Sequence, residues 1–178
     1  MRRDARRFVF IDESAAKTNM TRLWGRSRRG QRVRDHAPHG HWNTMSMIGS
    51  IRLDGTTSCM AVDGATTCEV FREYVRQVLC PILRPGDIVI ADNLSVHKDR
   101  ESEALIHARG ATLEFLPPYS PDFNPIENMW SKVKAHLRAS KARTQEKLFN
   151  AIGHALATIT STDAEGYFFS CGYTTSHS

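Results

Sequence analysis

Apolar positions along the chain follow two rhythms, and their order outlines a fold. Positions 8–11 (Phe-Val-Phe-Ile) and 88–91 (Ile-Val-Ile-Ala) are short uninterrupted apolar runs, each followed by an aspartate, Asp12 and Asp92. Runs this short and this apolar predict strands covered on both faces. Positions 44–53 alternate loosely, Asp54-Gly55 supplies turn chemistry and 57–62 resumes the extended pattern, which together predict a hairpin. From Thr66 the rhythm changes: Val70, Phe71, Tyr74, Val75, Val78 and Leu79 form a helical stripe that Pro85-Gly86 terminates.

A short polar helix over 99–109 is stopped by Gly110, 112–116 is again extended, and Pro117, Pro118 and Pro121 force an irregular loop. The next helix is clearly marked. Asn124 can cap it, Pro125 suits its first position, and Ile126, Met129, Trp130, Val133 and Leu137 form its buried stripe. Thr144 is placed to cap a last helix running to about residue 160. The predicted order of three strands, helix, strand, helix, strand and helices fits a single α/β domain. Its sheet is mixed, three antiparallel strands plus two parallel ones, and helices flank it.

Composition narrows the class. A chain of 178 residues that is 40% hydrophobic and 24% charged can bury one ordinary core. Cys59, Cys68, Cys80 and Cys171 form no Cys-x-x-Cys pair, so they read as reduced thiols, and no apolar run approaches membrane-spanning length. A cytoplasmic, nucleoid-associated location is therefore expected. Charge is uneven: residues 1–42 hold 11 Lys+Arg against 4 Asp+Glu. Arg22, Arg26, Arg28, Arg29, Arg32 and Arg34 crowd one loop, an arrangement suited to the phosphates of a polyanion. A solvated loop kept soluble by its charge is the competing explanation.

The carboxylates carry the candidate chemistry. Asp12 and Asp92 each close an apolar strand at its carboxyl end, where open α/β sheets bind ligands. Glu127 lies in the first turn of its helix, beside the buried stripe, where the helix dipole favours an anion. Three acids brought together by three elements suit Mg²⁺ or Mn²⁺, which take oxygen ligands and leave positions open for a phosphate ester. Each acid also has a structural explanation: an aspartate can cap a turn, and Glu127, three residues after Asn124, can close a capping box.

Three segments carry a family resemblance: FVFIDE at 8–13, IADNLSVHK at 90–98 and LPPYSPDFNPIENMWSKVK at 116–134. They resemble the DDE transposases of bacterial insertion sequences related to the mariner group. The likeness extends over about residues 7–173 and includes 34 residues between Asp92 and Glu127. It implies a ribonuclease-H-like fold and a catalytic triad of Asp12, Asp92 and Glu127 holding two metal ions, with Asp12 bridging. It also implies cleavage of DNA at transposon ends, followed by attack of the freed 3′ hydroxyl on target DNA, carried out by a homodimer. Asn93 and His97 are expected to orient water or phosphate, and Lys134 and Arg138, with Ser131, to follow DNA along the Glu127 face of the helix. Related transposases carry an N-terminal helix-turn-helix region, and nothing before Phe8 could form one. End recognition is therefore expected from a missing or separately encoded part.

Other features carry less. His36, His39 and His41 lack a fourth ligand for zinc, so loop packing is the expectation. Trp24 and Trp42 are expected in the core, although stacking on a base is the alternative. A ribonuclease or junction nuclease on the same fold, and a catalytically inactive DNA-binding remnant, remain open at this point.

Overall fold

In the computed structural model, which describes residues 4–32, 34, 38, 41–118 and 120–173, each extended pattern becomes a strand of one sheet. The strands are β1 (Phe8–Lys17), β2 (Thr44–Arg52), β3 (Thr57–Asp63), β4 (Ile88–Ala91) and β5 (Thr112–Phe115), in the order β3-β2-β1-β4-β5. β1, β2 and β3 pair antiparallel, while β4 lies parallel to β1 and β5 parallel to β4. This is the mixed sheet that the apolar rhythm predicts.

Alternation along the strands divides the core in two. Phe8, Phe10, Met45, Met47, Ile51, Ile88 and Ile90 face the layer made by α3 (Pro125–Ser140), α4 (Gln145–Ala157) and α5 (Ser161–Ser170). Val9, Ile11, Ile48, Val89 and Ala91 face α1 (Cys68–Tyr74) and α2 (Arg100–His107). Among the described residues no helix is long and apolar enough to cross a membrane.

Three elements depart from expectation. β1 does not stop at Asp12 but runs five residues further, because β2 continues to pair with it as far as Lys17 opposite Thr44. The helix after the hairpin is regular only to Tyr74. It widens into a π-helical turn over Val75–Leu79 and ends in a 3-10 turn at Cys80–Ile82, where Pro81 has no N–H to give the α-helical ladder. The helix predicted from Thr144 is α4, and a further helix that the sequence pattern does not predict follows it. α4 ends at Ala157, and α5 starts afresh on a capping box in which Thr160 and Asp163 bond each other's backbone N–H.

The C-terminal segment returns to the middle of the chain. Tyr173 packs against Phe8, Phe10 and Phe168, and its hydroxyl donates to the Phe123 carbonyl at 2.8 Å, in the loop that leads into α3. Its ring thus ties the start of β1 to that loop.

Candidate active site

β1 and β4 place the two aspartates. Phe8, Val9 and Phe10 stand opposite Ile88, Val89 and Ile90, so two further residues in the same register bring Asp12 beside Asp92. Both keep the even spacing from Phe10 and Ile90, which point to the α3 side of the sheet. Asp12 is thus not at the end of its strand: it lies where β1 has outrun β4 and pairs with β2 alone.

The third acid arrives by packing. Opposite Asp12 on β2 is Gly49, where an added Cβ would lie 2.8 Å from the Trp130 ring and 3.0 Å from the Ser58 carbonyl. The missing side chain lets Trp130, fully buried, lie directly on the sheet. Glu127 precedes Trp130 by three residues, one turn of α3, and is carried to the same edge. Asp12, Asp92 and Glu127 line one cavity of about 390 Å³, closed on its other side by Leu116, Pro117, Pro118 and Pro121 of the proline loop.

Electrostatics separates the aspartates. Asp12 is buried, and its carboxyl is pushed up to about 7. Burial is the main cause, with the Glu127 and Asp92 charges adding to it; the Glu13 backbone N–H and His97 pull the other way. Asp92 is also partly buried, yet its carboxyl is held below the ordinary carboxylate value by His97 and by the Leu94 N–H, which donates at 3.1 Å. His97 is fully enclosed, its ring 4.8 Å from that of Phe71, with Nδ1 2.6 Å from Asp92 and Nε2 3.4 Å from Glu13. These are close ionic contacts that lack the alignment of hydrogen bonds. Burial lowers the affinity of His97 for a proton, but the two carboxylates outweigh it and raise the group to about 9. One aspartate is therefore readily protonated and its neighbour firmly ionised, the divergence expected where groups are assigned different chemical tasks.

The donor set suits a hard cation. It is made of carboxylate oxygens whose mutual repulsion a positive ion relieves, and beside it the buried Asn124 Oδ1 has no partner. Among the described residues no three His, Cys, Asp or Glu side chains already stand gathered as a ligand set. The acids share a cavity and a field, with Glu127 exposed on the first turn of its helix.

The capping box proposed for Glu127 does not form: Asn124 makes no side-chain cap bond to α3. Asn93 is exposed on the cavity rim, while His97 is buried behind Asp92 rather than open to phosphate. The basic loop is pinned at its base, where Thr18 and Asn43 bond reciprocally and Arg143 donates to the Thr18 and Met20 carbonyls at 3.0 and 2.9 Å. Arg22, Arg26, Arg28, Arg29, Arg32 and Arg34 are all exposed. Arg22 and Arg138 line one surface cleft with Leu23 and Trp24, so the loop meets the outer side of α3; Lys134, also on α3, is half-buried.

Trp24 and Trp42 are not core residues: they are 89% and 51% exposed, since the loop carries them away from both cores. His36 and His39 lie outside the described residues. Sequence reasoning missed two groups near the site, Glu13 behind His97 and the side chain of Asn124. The second reads as a cap in the sequence, although its place in the proline loop beside Glu127 is visible there.

A family model described as DDE superfamily endonuclease matches residues 7–149. No curated protein matches the sequence. Among solved structures, the Mos1 strand transfer complex is similar with a TM-score of 0.66 and 16% identity over 94% of this chain and 52% of that one. The mariner Mos1 paired-end complex with Mg has a TM-score of 0.64 and 17% identity, over 93% of this chain and 51% of that one. The catalytic core domain of BIV integrase has a TM-score of 0.56 and 16% identity, over 86% and 82%. At these identities the likeness speaks for the fold, that of ribonuclease-H-like transposase and integrase cores, and the chain spans about half the length of the Mos1 transposase chains it matches. With a family model covering most of its length, and with the three acids lining one cavity, the chain belongs to the DDE superfamily endonucleases.

Proposed function

We propose that this domain is the catalytic core of a transposase that cleaves DNA strands at transposon ends and joins the freed 3′ hydroxyl to target DNA. The observation that carries the reading is the convergence of Asp12, Asp92 and Glu127 on one cavity by strand register and the Gly49–Trp130 contact. Mg²⁺ or Mn²⁺, two ions in this reading, would be held by these three carboxylates, and when bound supplies Lewis-acid activation of the phosphodiester and of the attacking oxygen. His97, backed by Glu13, keeps Asp92 ionised and in place. The proline loop walls one side of the cavity.

The exposed arginines of the basic loop, with Arg138 and Lys134 on α3, would bind phosphates, their density giving affinity without base readout. A particular end sequence would have to be read by contacts to base edges, which phosphate binding does not supply. Two cores acting on one paired-end complex is part of the same reading, supported by the paired-end assembly of the similar Mos1 protein.

The test is nicking of supercoiled DNA with Mn²⁺, comparing the chain with Asp92→Asn. The variant is expected to fall to the level of protein-free DNA, whereas equal nicking by both proteins would remove the assigned site.

A further inference from the structure

α3 begins differently from every other α-helix among the described residues. Thr67, Asp99, Thr144 and Thr160 each turn a side-chain oxygen back to a backbone N–H of the helix they precede. Asn124, a residue type at least as good at this task, does not. Its backbone is fully engaged, the N–H with Pro121 and the carbonyl with Glu127. The residue is 4% exposed, and its Oδ1 is sealed from solvent with no hydrogen-bond partner. Forgoing a cap and burying an unsatisfied acceptor both destabilise the free protein. The same residue lines the carboxylate cavity and a second, polar cavity of about 560 Å³ formed with Asp122, Asn128 and Ser170.

What could satisfy Oδ1 is limited by chemistry. With a cation bound, Asp12, Asp92 and Glu127 are ionised and are acceptors, as are the oxygens of a phosphodiester, so in that state none of them can complete it. The donor that would enter with a cation is the O–H of a water on it, a strong donor when its oxygen lies on a divalent ion, and Oδ1, out of a water's reach in the metal-free chain, meets it once the amide turns toward the cavity. An amide suits the role because it does not titrate and so fixes an orientation without taking the proton.

We propose that Asn124 is a positioning residue of the cation site, its amide oxygen accepting a hydrogen bond from water held by the ion at Asp12, Asp92 and Glu127. This rests on the reading of those acids as the cation site. It accounts for an asparagine that declines to cap: its oxygen is reserved for the water shell.

Mn²⁺ titration followed by electron paramagnetic resonance, together with thermal unfolding of the metal-free protein, tests the assignment. The chains compared are the unsubstituted protein, Asp92→Asn, Asn124→Ala and Asn124→Asp. Asn124→Ala is expected to weaken Mn²⁺ binding about 10- to 100-fold, the loss usual for a partner of bound water or ligand. Its metal-free Tm should be unchanged or higher, because an unsatisfied acceptor has gone and no cap bond existed to lose. Asn124→Asp, which keeps an oxygen in place, should restore binding to within a few-fold of the parent. An ordinary cap predicts the reverse for Asn124→Ala, unchanged Mn²⁺ affinity with a Tm lower by about 2–4 °C, and that result overturns the proposal. A metal-free Tm that falls along with the affinity makes the loss structural and overturns it too. If the parent chain binds no Mn²⁺, or Asp92→Asn binds it equally well, the cation site itself fails and takes Asn124 with it. If only Asn124→Ala matches the parent, the role of Asn124 alone fails.

Discussion

The four residues of β4 have an aspartate at each end, and the protein treats the two in opposite ways. Asp87, just before the strand, is buried and receives both terminal nitrogens of the equally buried Arg52 as well as the Arg84 N–H at 2.6 Å. The same guanidinium also donates to the Ile82 carbonyl at 3.0 Å. Asp92, just after the strand, opens into a cavity that holds two more acids, and its compensation comes from His97 behind it. At one end a charge is matched by a buried partner of opposite sign; at the other, charge of one sign is collected. A matched pair serves the fold. An unmatched group is tolerable only where something from outside completes it, and the paired end stabilises a sheet whose other end carries that burden.

The contrast can be broken most severely at Asp87. Asp87→Ala leaves Arg52 buried without its carboxylate and is expected to cost about 3–5 kcal/mol in urea unfolding, whereas replacing both partners with apolar residues of similar volume should recover most of that loss. A small loss in the single variant would mean that the two ends are not so different.

The opposite sign is expected at the other end. Asp12 titrates near 7 in the folded chain against an ordinary value of 3.8, so the metal-free folded state binds the extra proton and loses stability as pH rises through that interval. Asp12→Asn removes the penalty. It should stabilise the metal-free protein by about 2–4 kcal/mol at pH 8, since each tenfold change in proton affinity is worth about 1.4 kcal/mol, and by almost nothing near pH 4. Thermal melts of both proteins across that range measure it, and a destabilised variant at pH 8 would contradict the claim that this charge is uncompensated.

A smaller effect sharpens the geometry. Gly49→Ala sets a methyl group against Trp130 and is expected to cost about 1–3 kcal/mol. Because the shift of α3 carries Glu127 with it, Mn²⁺ affinity should fall as well, measured in the same titration. Unchanged affinity would uncouple Trp130 packing from the placement of the third acid.

Much of this is legible in the chain, and what is not has a physical reason. Two apolar runs ending in aspartate foretell β1 and β4 and the neighbouring aspartates that follow them, because a run with no polar alternation leaves few structures open to it. The same pattern cannot show that β1 continues past Asp12: that depends on β2, which pairs with polar residues as readily as with apolar ones. Arg52 looks like one more charge in a hairpin, and only the fold reveals its partner 35 residues away. His97 stands out in the sequence, but its depth and its link to Glu13 arise from tertiary packing. α5 escapes because its helical rhythm is faint, although Thr160 and Asp163 announce its start. Asn124 misleads since a residue just before a helix is expected to cap it, and local grammar cannot tell a cap from a cavity wall.

The Tyr173 hydroxyl on the Phe123 carbonyl joins segments 50 residues apart in the chain, so this contact cannot form early in synthesis. Synthesis proceeds from the N-terminus, so β1, β4 and their acids emerge first, and the proline loop follows with its wall still untied. The clasp closes only after residue 173 has left the ribosome. A nascent chain therefore holds Asp12 and Asp92 before the loop that leads into α3 is clasped.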